Sequence, residues 1–61
     1  MNGKLIVARL KEAGWTVRRI SGSHYIMTRD GKSVPVPVHG NHDLSPGTLA
    51  AIARQSGVPI K

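Results

Sequence analysis

Histidine is the side chain best suited to moving a proton near neutral pH, and this chain carries three: His24, His39 and His42. His24 has the more informative setting. It follows Ser21, Gly22 and Ser23, residues that build a turn, and it opens the apolar run Tyr25-Ile26-Met27. A side chain at the start of a strand is held by the sheet yet stays close to solvent. The other reactive residue types are poorly disposed. Glu12, Asp30 and Asp43 are the only acids, and they are scattered, so neither a carboxylate pair nor an acidic two-metal cluster arises. His39 and His42 have a bare His-x-x-His spacing with no helix to set it, so no metal site is expected, and no cofactor. Ser23 adjoins His24, and strand neighbours point to opposite faces, which works against a nucleophile–base pair. No glycine cluster precedes a Lys-Ser or Lys-Thr pair, so no phosphate loop is present.

A histidine among cations suffices for one reaction. RNA carries its own nucleophile, the 2′-hydroxyl, so a protein need only place the backbone, accept a proton and stabilise charge on the phosphorane. Histidine handles the proton, while Arg, Lys and backbone N–H groups hold the phosphate. DNA lacks that hydroxyl and would escape. His24 is the expected catalytic residue, and Arg18, Arg19, Ser23 and Lys32 are expected RNA contacts.

Several elements must position these residues. Asn2 can cap a helix to about Ala13, with Ile6, Leu10 and Ala13 as its inner stripe, flanked by Leu5 and Val7, and Gly14 as its stop. Trp15–Ile20, Ser23–Arg29 and Ser33–Val38 read as three strands, the last two joined by Asp30-Gly31, a strong hairpin signal. That turn pairs Met27 with Val34 and Tyr25 with Val36. A three-residue bulged turn over Ser21–Ser23 would add Trp15 and Val17 to the same, core, face. Arg18, Ile20, His24, Ile26 and Thr28 would then share the opposite face, with Pro35 and Pro37 making the third strand an edge. A plain two-residue turn would instead move His24 to the face of Arg19; the bulged version is preferred because it keeps the apolar set together. Ser45-Pro46 starts a second helix, with Leu49, Ile52, Ala53 and Ser56 on one stripe and Gly57 at its end. The expected fold is α+β, ordered α-β-β-β-α: a three-stranded antiparallel sheet with both helices on one face and the His24 face uncovered.

Sixty-one residues are read as a single domain, 1–61, with a thin stability margin that a partner could supplement. There are no cysteines to staple it. The uninterrupted apolar runs, such as Leu5–Ala8 and Leu49–Ala53, are far too short for a membrane span, and the expected location is the cytoplasm. Nine Lys and Arg against three acids give a net charge of +6, which points to a polyanionic partner. Trp15 and Tyr25, the only aromatics, both fall on the core face, so bases are not expected to stack on the sheet.

The ordered set of an opening helix ending Lys11-Glu12-Ala13-Gly14-Trp15, the Gly22-Ser23-His24 motif followed by an aromatic, Val36-Pro37-Val38-His39, Gly47-Thr48-Leu49 and Arg54-Gln55-Ser56-Gly57-Val58 resembles the HicA (YcfA-like) mRNA interferase toxins of type II toxin–antitoxin systems. The likeness spans nearly the whole chain. It implies a double-stranded-RNA-binding-domain-like fold, metal-independent endoribonuclease activity on mRNA with His24 as catalytic residue, and a HicB-like antitoxin that blocks the active surface. Tyr25 stands where many relatives have a second histidine. His39 belongs to the shared Pro-Val-His pattern, which adds it to the expected RNA contacts in a supporting role. Two other readings fit the same residues: a non-catalytic RNA-binding module of this fold, and a degenerate toxin acting only through its protein partner.

RNA binding driven by this charge must be steeply salt-dependent. Each neutralised phosphate on a single strand contributes about −0.7 to the slope of log K against log salt. A slope steeper than about −2 is expected from filter-binding or anisotropy titrations with single-stranded RNA. An affinity flat between low and moderate salt would contradict the phosphate-driven reading.

Overall fold

The computed structural model describes residues 1–60. The chain runs α1 (Gly3–Glu12), β1 (Thr16–Ser21), β2 (His24–Arg29), β3 (Lys32–Pro37) and α2 (Pro46–Ser56). The strands form one open antiparallel sheet in the order β1-β2-β3. This is the expected α-β-β-β-α, α+β arrangement.

Local chemistry sets the element ends. Asn2 Oδ1 accepts the Leu5 N–H at 3.0 Å and caps α1. At the other end Gly14 takes φ +93°, the Gly14 N–H donates to Lys11 O at 3.0 Å, and the Trp15 N–H donates to Leu10 O at 2.9 Å. These are the two bonds of a Schellman ending, and Leu10 and Trp15 both enter the core, as that motif favours. Arg29 Nη1 donates to Ala13 O at 2.7 Å, tying the end of β2 to the end of α1. Ser45 Oγ accepts the Thr48 N–H at 3.2 Å to start α2, and Gly57, left-handed at φ +73°, ends it.

The β2–β3 turn is as read from Asp30-Gly31. Both residues have positive φ, +51° and +79°, as a type I′ turn requires, and Met27 faces Val34 while Tyr25 faces Val36. The β1–β2 connection differs from the preferred expectation. Its turn has only two central residues, Gly22 at φ +58° and Ser23, so Ser21 pairs with His24. The bulge lies instead inside β1, at Arg18, where the register passes from Val17↔Met27 to Arg19↔Ile26. Ile20 therefore pairs with Tyr25 and leaves the His24 side of the sheet, and Arg19 takes the place opposite Ile26 that was expected on the other face. The physical reason is that a glycine at the first central position closes a tight turn without strain. The extra residue is then absorbed where a long exposed arginine can follow a bend. Val17 still faces Met27, so the core side is preserved.

Ile6, Val7, Leu10, Trp15, Met27, Val34, Val36 and Ile52 form one buried cluster between the sheet and both helices. The Trp15 indole N–H is buried there without a hydrogen-bond partner among the described residues, a polar cost set against the packing of its ring. Helix α1 rests on β2 and β3, and α2 mainly on β3. The closest approach is at Gly3, where an ideal Cβ would overlap the Pro37 carbonyl oxygen and come within 2.9 Å of Val38 Cα. Backbone lies against backbone there, so neither side can yield cheaply.

Gly3→Ala should therefore destabilise despite alanine's better helix propensity, by about 1–3 kcal/mol as for other overpacked sites. In a domain of this size that lowers the thermal midpoint by roughly 4–20 °C. Gly47→Ala, also in a first helical turn but with nothing within 4 Å of the added Cβ, should leave the midpoint unchanged or raise it. Equal effects in calorimetry or thermal circular dichroism would contradict the account of α1 docking.

Candidate functional site

The sheet face away from the core is built of three cross-strand rows. Ser21, His24 and Pro37 form the first; Arg19, Ile26 and Pro35 the second; Thr16, Thr28 and Ser33 the third. Rows are about 6.8 Å apart, two residues of antiparallel rise. Proline cannot donate to a ladder, so Pro35 and Pro37 must meet β2 at its non-hydrogen-bonded positions, where facing side chains sit closest. His24 is the first residue of β2 and is exposed. The sheet end beside it is fastened by the Val38 N–H, which donates to Ser23 O at 2.7 Å.

This face is not as open as expected. Helix α2 packs Ile52 into the core but lies along the β3 edge, so its flank walls one side of the outer face. The result is a groove of about 360 Å³ between His24, Pro35 and Pro37 on the sheet and Gly47, Thr48, Ala51, Ile52 and Gln55 on α2. On the other side of the Ile26–Pro35 row lies a second groove of about 320 Å³, lined by Arg18, Arg19, Ile26 and Ser33. The β1 bulge explains why two successive residues, Arg18 and Arg19, line one groove, since alternation is suspended there. Both arginines are exposed, and neither forms a salt bridge among the described residues.

Ser23, His24, Arg18 and Arg19 thus come together on this face or its rim. His39 is exposed just past the end of β3, one residue beyond the Val38–Ser23 bond. His42 is also exposed, in a turn closed by its own N–H to His39 O at 3.0 Å. Lys32 lies at the far end of β3, opposite Arg29, beside a separate cavity of about 110 Å³ lined also by Trp15, Asp30 and Ser56. Among the described residues, no three His, Cys, Asp or Glu side chains gather where they could hold a metal ion. The contribution of α2 was not anticipated from its residues. Its signal is the spacing of Gly47, Ala51 and Gln55, four apart on one flank beside the buried stripe.

The molecule is thus a small basic α+β domain whose outer sheet face carries one groove lined by the exposed His24 and a second lined by two arginines. A family model described as HicA toxin of bacterial toxin-antitoxin matches residues 3–58, and the chain belongs to that family. No curated protein and no solved structure matches it. Membership assigns the chain the toxin's part in a toxin–antitoxin pair and implies an antitoxin partner. Among the described residues no helix is long and apolar enough to cross a membrane.

Because His24 is exposed and outside the core, His24→Ala should shift the thermal midpoint by no more than about 2–4 °C. A larger loss, read by thermal circular dichroism, would mean that the histidine holds the sheet end together.

Proposed function

We propose that this toxin is a metal-independent endoribonuclease that cleaves mRNA in the cytoplasm, with His24 as the proton-transfer residue. The observation that carries the reading is the exposed His24 on the one sheet face that also bears Arg18 and Arg19. An RNA strand laid across this face meets the arginines with its phosphates. At the cleaved position His24 takes the proton from the 2′-hydroxyl, whose oxygen attacks the adjacent phosphorus. The P–O5′ bond breaks, and the leaving oxygen takes a proton from water, which reaches this exposed position freely. The products are a 2′,3′-cyclic phosphate and a 5′-hydroxyl. The exposed arginines offset the charge that builds on the phosphorane. Ser23 and His39 flank the His24 end, and Lys32 extends the positive surface at the other. A HicB-like antitoxin would inhibit by covering the same face, where half-buried Ile26 offers apolar area between the charged rows.

The test is cleavage of single-stranded RNA by the purified toxin in excess chelator. Wild type should cut RNA and leave the all-2′-deoxy strand intact. His24→Ala should lose at least about 100-fold in rate while still binding RNA, since a general acid–base group contributes about 10²–10⁴-fold. Binding without cleavage by wild type would favour the non-catalytic RNA module. Neither binding nor cleavage would leave the protein-interaction reading.

A further inference from the structure

The two grooves of the outer face differ in charge, and the difference divides an RNA strand between them. The groove beyond Ile26 is cationic, lined by Arg18 and Arg19 with Ser33. The groove on the α2 side is lined by no Lys, Arg, Asp or Glu; Pro35, Pro37, Ala51 and Ile52 make its walls, and His24, Thr48 and Gln55 are its polar side chains. Apart from the cleaved phosphate, which must reach His24, the phosphates have no reason to leave the first groove for the second. A nucleobase does, because it needs flat apolar walls and a few hydrogen-bonding groups at its edge rather than a cation.

The direction of α2 orders this second groove. Its last residue, Ser56, sits beside Lys32 at the start of β3, so α2 runs opposite to β3. Gly47 and Thr48 are therefore near Pro37 and His24, while Gln55 is near Pro35. Gly47 and Thr48 belong to the first turn of the helix; Pro46 has no N–H and the Thr48 N–H is held by Ser45 Oγ, so it is the Gly47 N–H, with the helix dipole, that favours the negative charge developing beside His24. Two turns further on, Gln55 presents an amide donor and acceptor side by side, the pattern that recognises an adenine edge. Gly47 and Ala51, the small residues on this flank, leave the space between helix and prolines that a base would fill.

We infer that the groove between α2 and the Pro35–Pro37 edge is a nucleobase pocket, in which the base next to the cleaved phosphate lies between the prolines and Ala51–Ile52 and is read by Gln55, the Thr48 hydroxyl being bonded to Ser45 Oγ at 2.9 Å. The inference rests on the outer face being the RNA site. It makes Gln55 a specificity residue of a nuclease whose arginines bind without regard to sequence.

The experiment uses 2′-O-methyl dinucleotides, which keep one phosphodiester but lack the nucleophile, titrated into isotope-labelled protein and followed by NMR. One base at one of the two positions, with adenine the expected favourite, should bind at least about 5-fold tighter than the others, as one good bidentate contact provides. Shifts should concentrate on Gly47, Thr48, Ala51 and Gln55. Gln55→Leu should reduce the preference to less than twofold, whereas Arg19→Ala should weaken all dinucleotides alike and leave the preference intact. Equal binding of every base, or a preference that survives Gln55→Leu, would overturn the pocket. Because no cleavage is involved, base preference in a protein that fails to cut RNA would support the pocket while refuting the nuclease. Cutting without base preference would do the reverse.

Discussion

A β-strand sends successive side chains to opposite faces, and a sheet of three strands covered on one face has no second sheet to hide an error. The parity of β2 therefore decides everything else. Tyr25 and Met27 face the helices, so His24 and Ile26 face outward, and the partners on β1 and β3 must follow. The β3 side is secured by the Asp30-Gly31 turn and by prolines that fit only the outward positions. The β1 side needs a correction. The tight Gly22-Ser23 turn alone would leave Val17 out of step with Met27, and the bulge at Arg18 restores it. The same bulge places two arginines on the His24 side, so one irregularity completes the core and charges the surface.

The division between faces also explains how so small a domain combines stability with an open site. The eight residues of the core come from α1, α2, β2, β3 and the residue leading into β1, so each element is anchored by at least one of them or, for β1, by its neighbour Trp15. The Schellman ending of α1 delivers Trp15 to that core, and Arg29 fastens β2 to the same helix end. None of these interactions uses a residue of the outer face apart from Ile52, which serves the core and the wall of the α2 groove together. Substitution on the outer face is thereby uncoupled from folding. A toxin's partner can cover that face without rebuilding the domain beneath it.

Much of this was legible because the strongest local signals agree with the packing. Asn2, Gly14, Ser45-Pro46 and Gly57 mark helix ends that lie within a residue of where they were read. Asp30-Gly31 specifies its turn type outright. The β1 register was not legible for a physical reason. A two-residue turn with a bulge in the strand and a longer bulged turn both keep Val17 with Met27, and they differ only in where Arg19 and Ile20 point. Polar and apolar residues alternate too poorly over Thr16–Ser21 to separate them. His24 was legible as an outward residue under the preferred register and remains so, because β2 and β3 set its face. The wall supplied by α2 was hidden because Gly47, Ala51 and Gln55 are neither charged nor part of the buried stripe. Only the packing of Ile52 swings that flank toward the prolines. Lys32 was grouped with the site by charge alone, and the length of β3 separates it from His24.

His24 is proposed to move the proton of an RNA 2′-hydroxyl, and the chemistry of the product ends reports whether that hydroxyl is the nucleophile. Mass spectrometry of fragments from a defined RNA, cut in water enriched in heavy oxygen, should show 2′,3′-cyclic phosphate and 5′-hydroxyl ends with no heavy oxygen incorporated in the cleavage step. Fragments ending in 3′-hydroxyl and 5′-phosphate, with heavy oxygen on the phosphorus, would show that water and not the 2′-hydroxyl is the nucleophile, and would contradict the account.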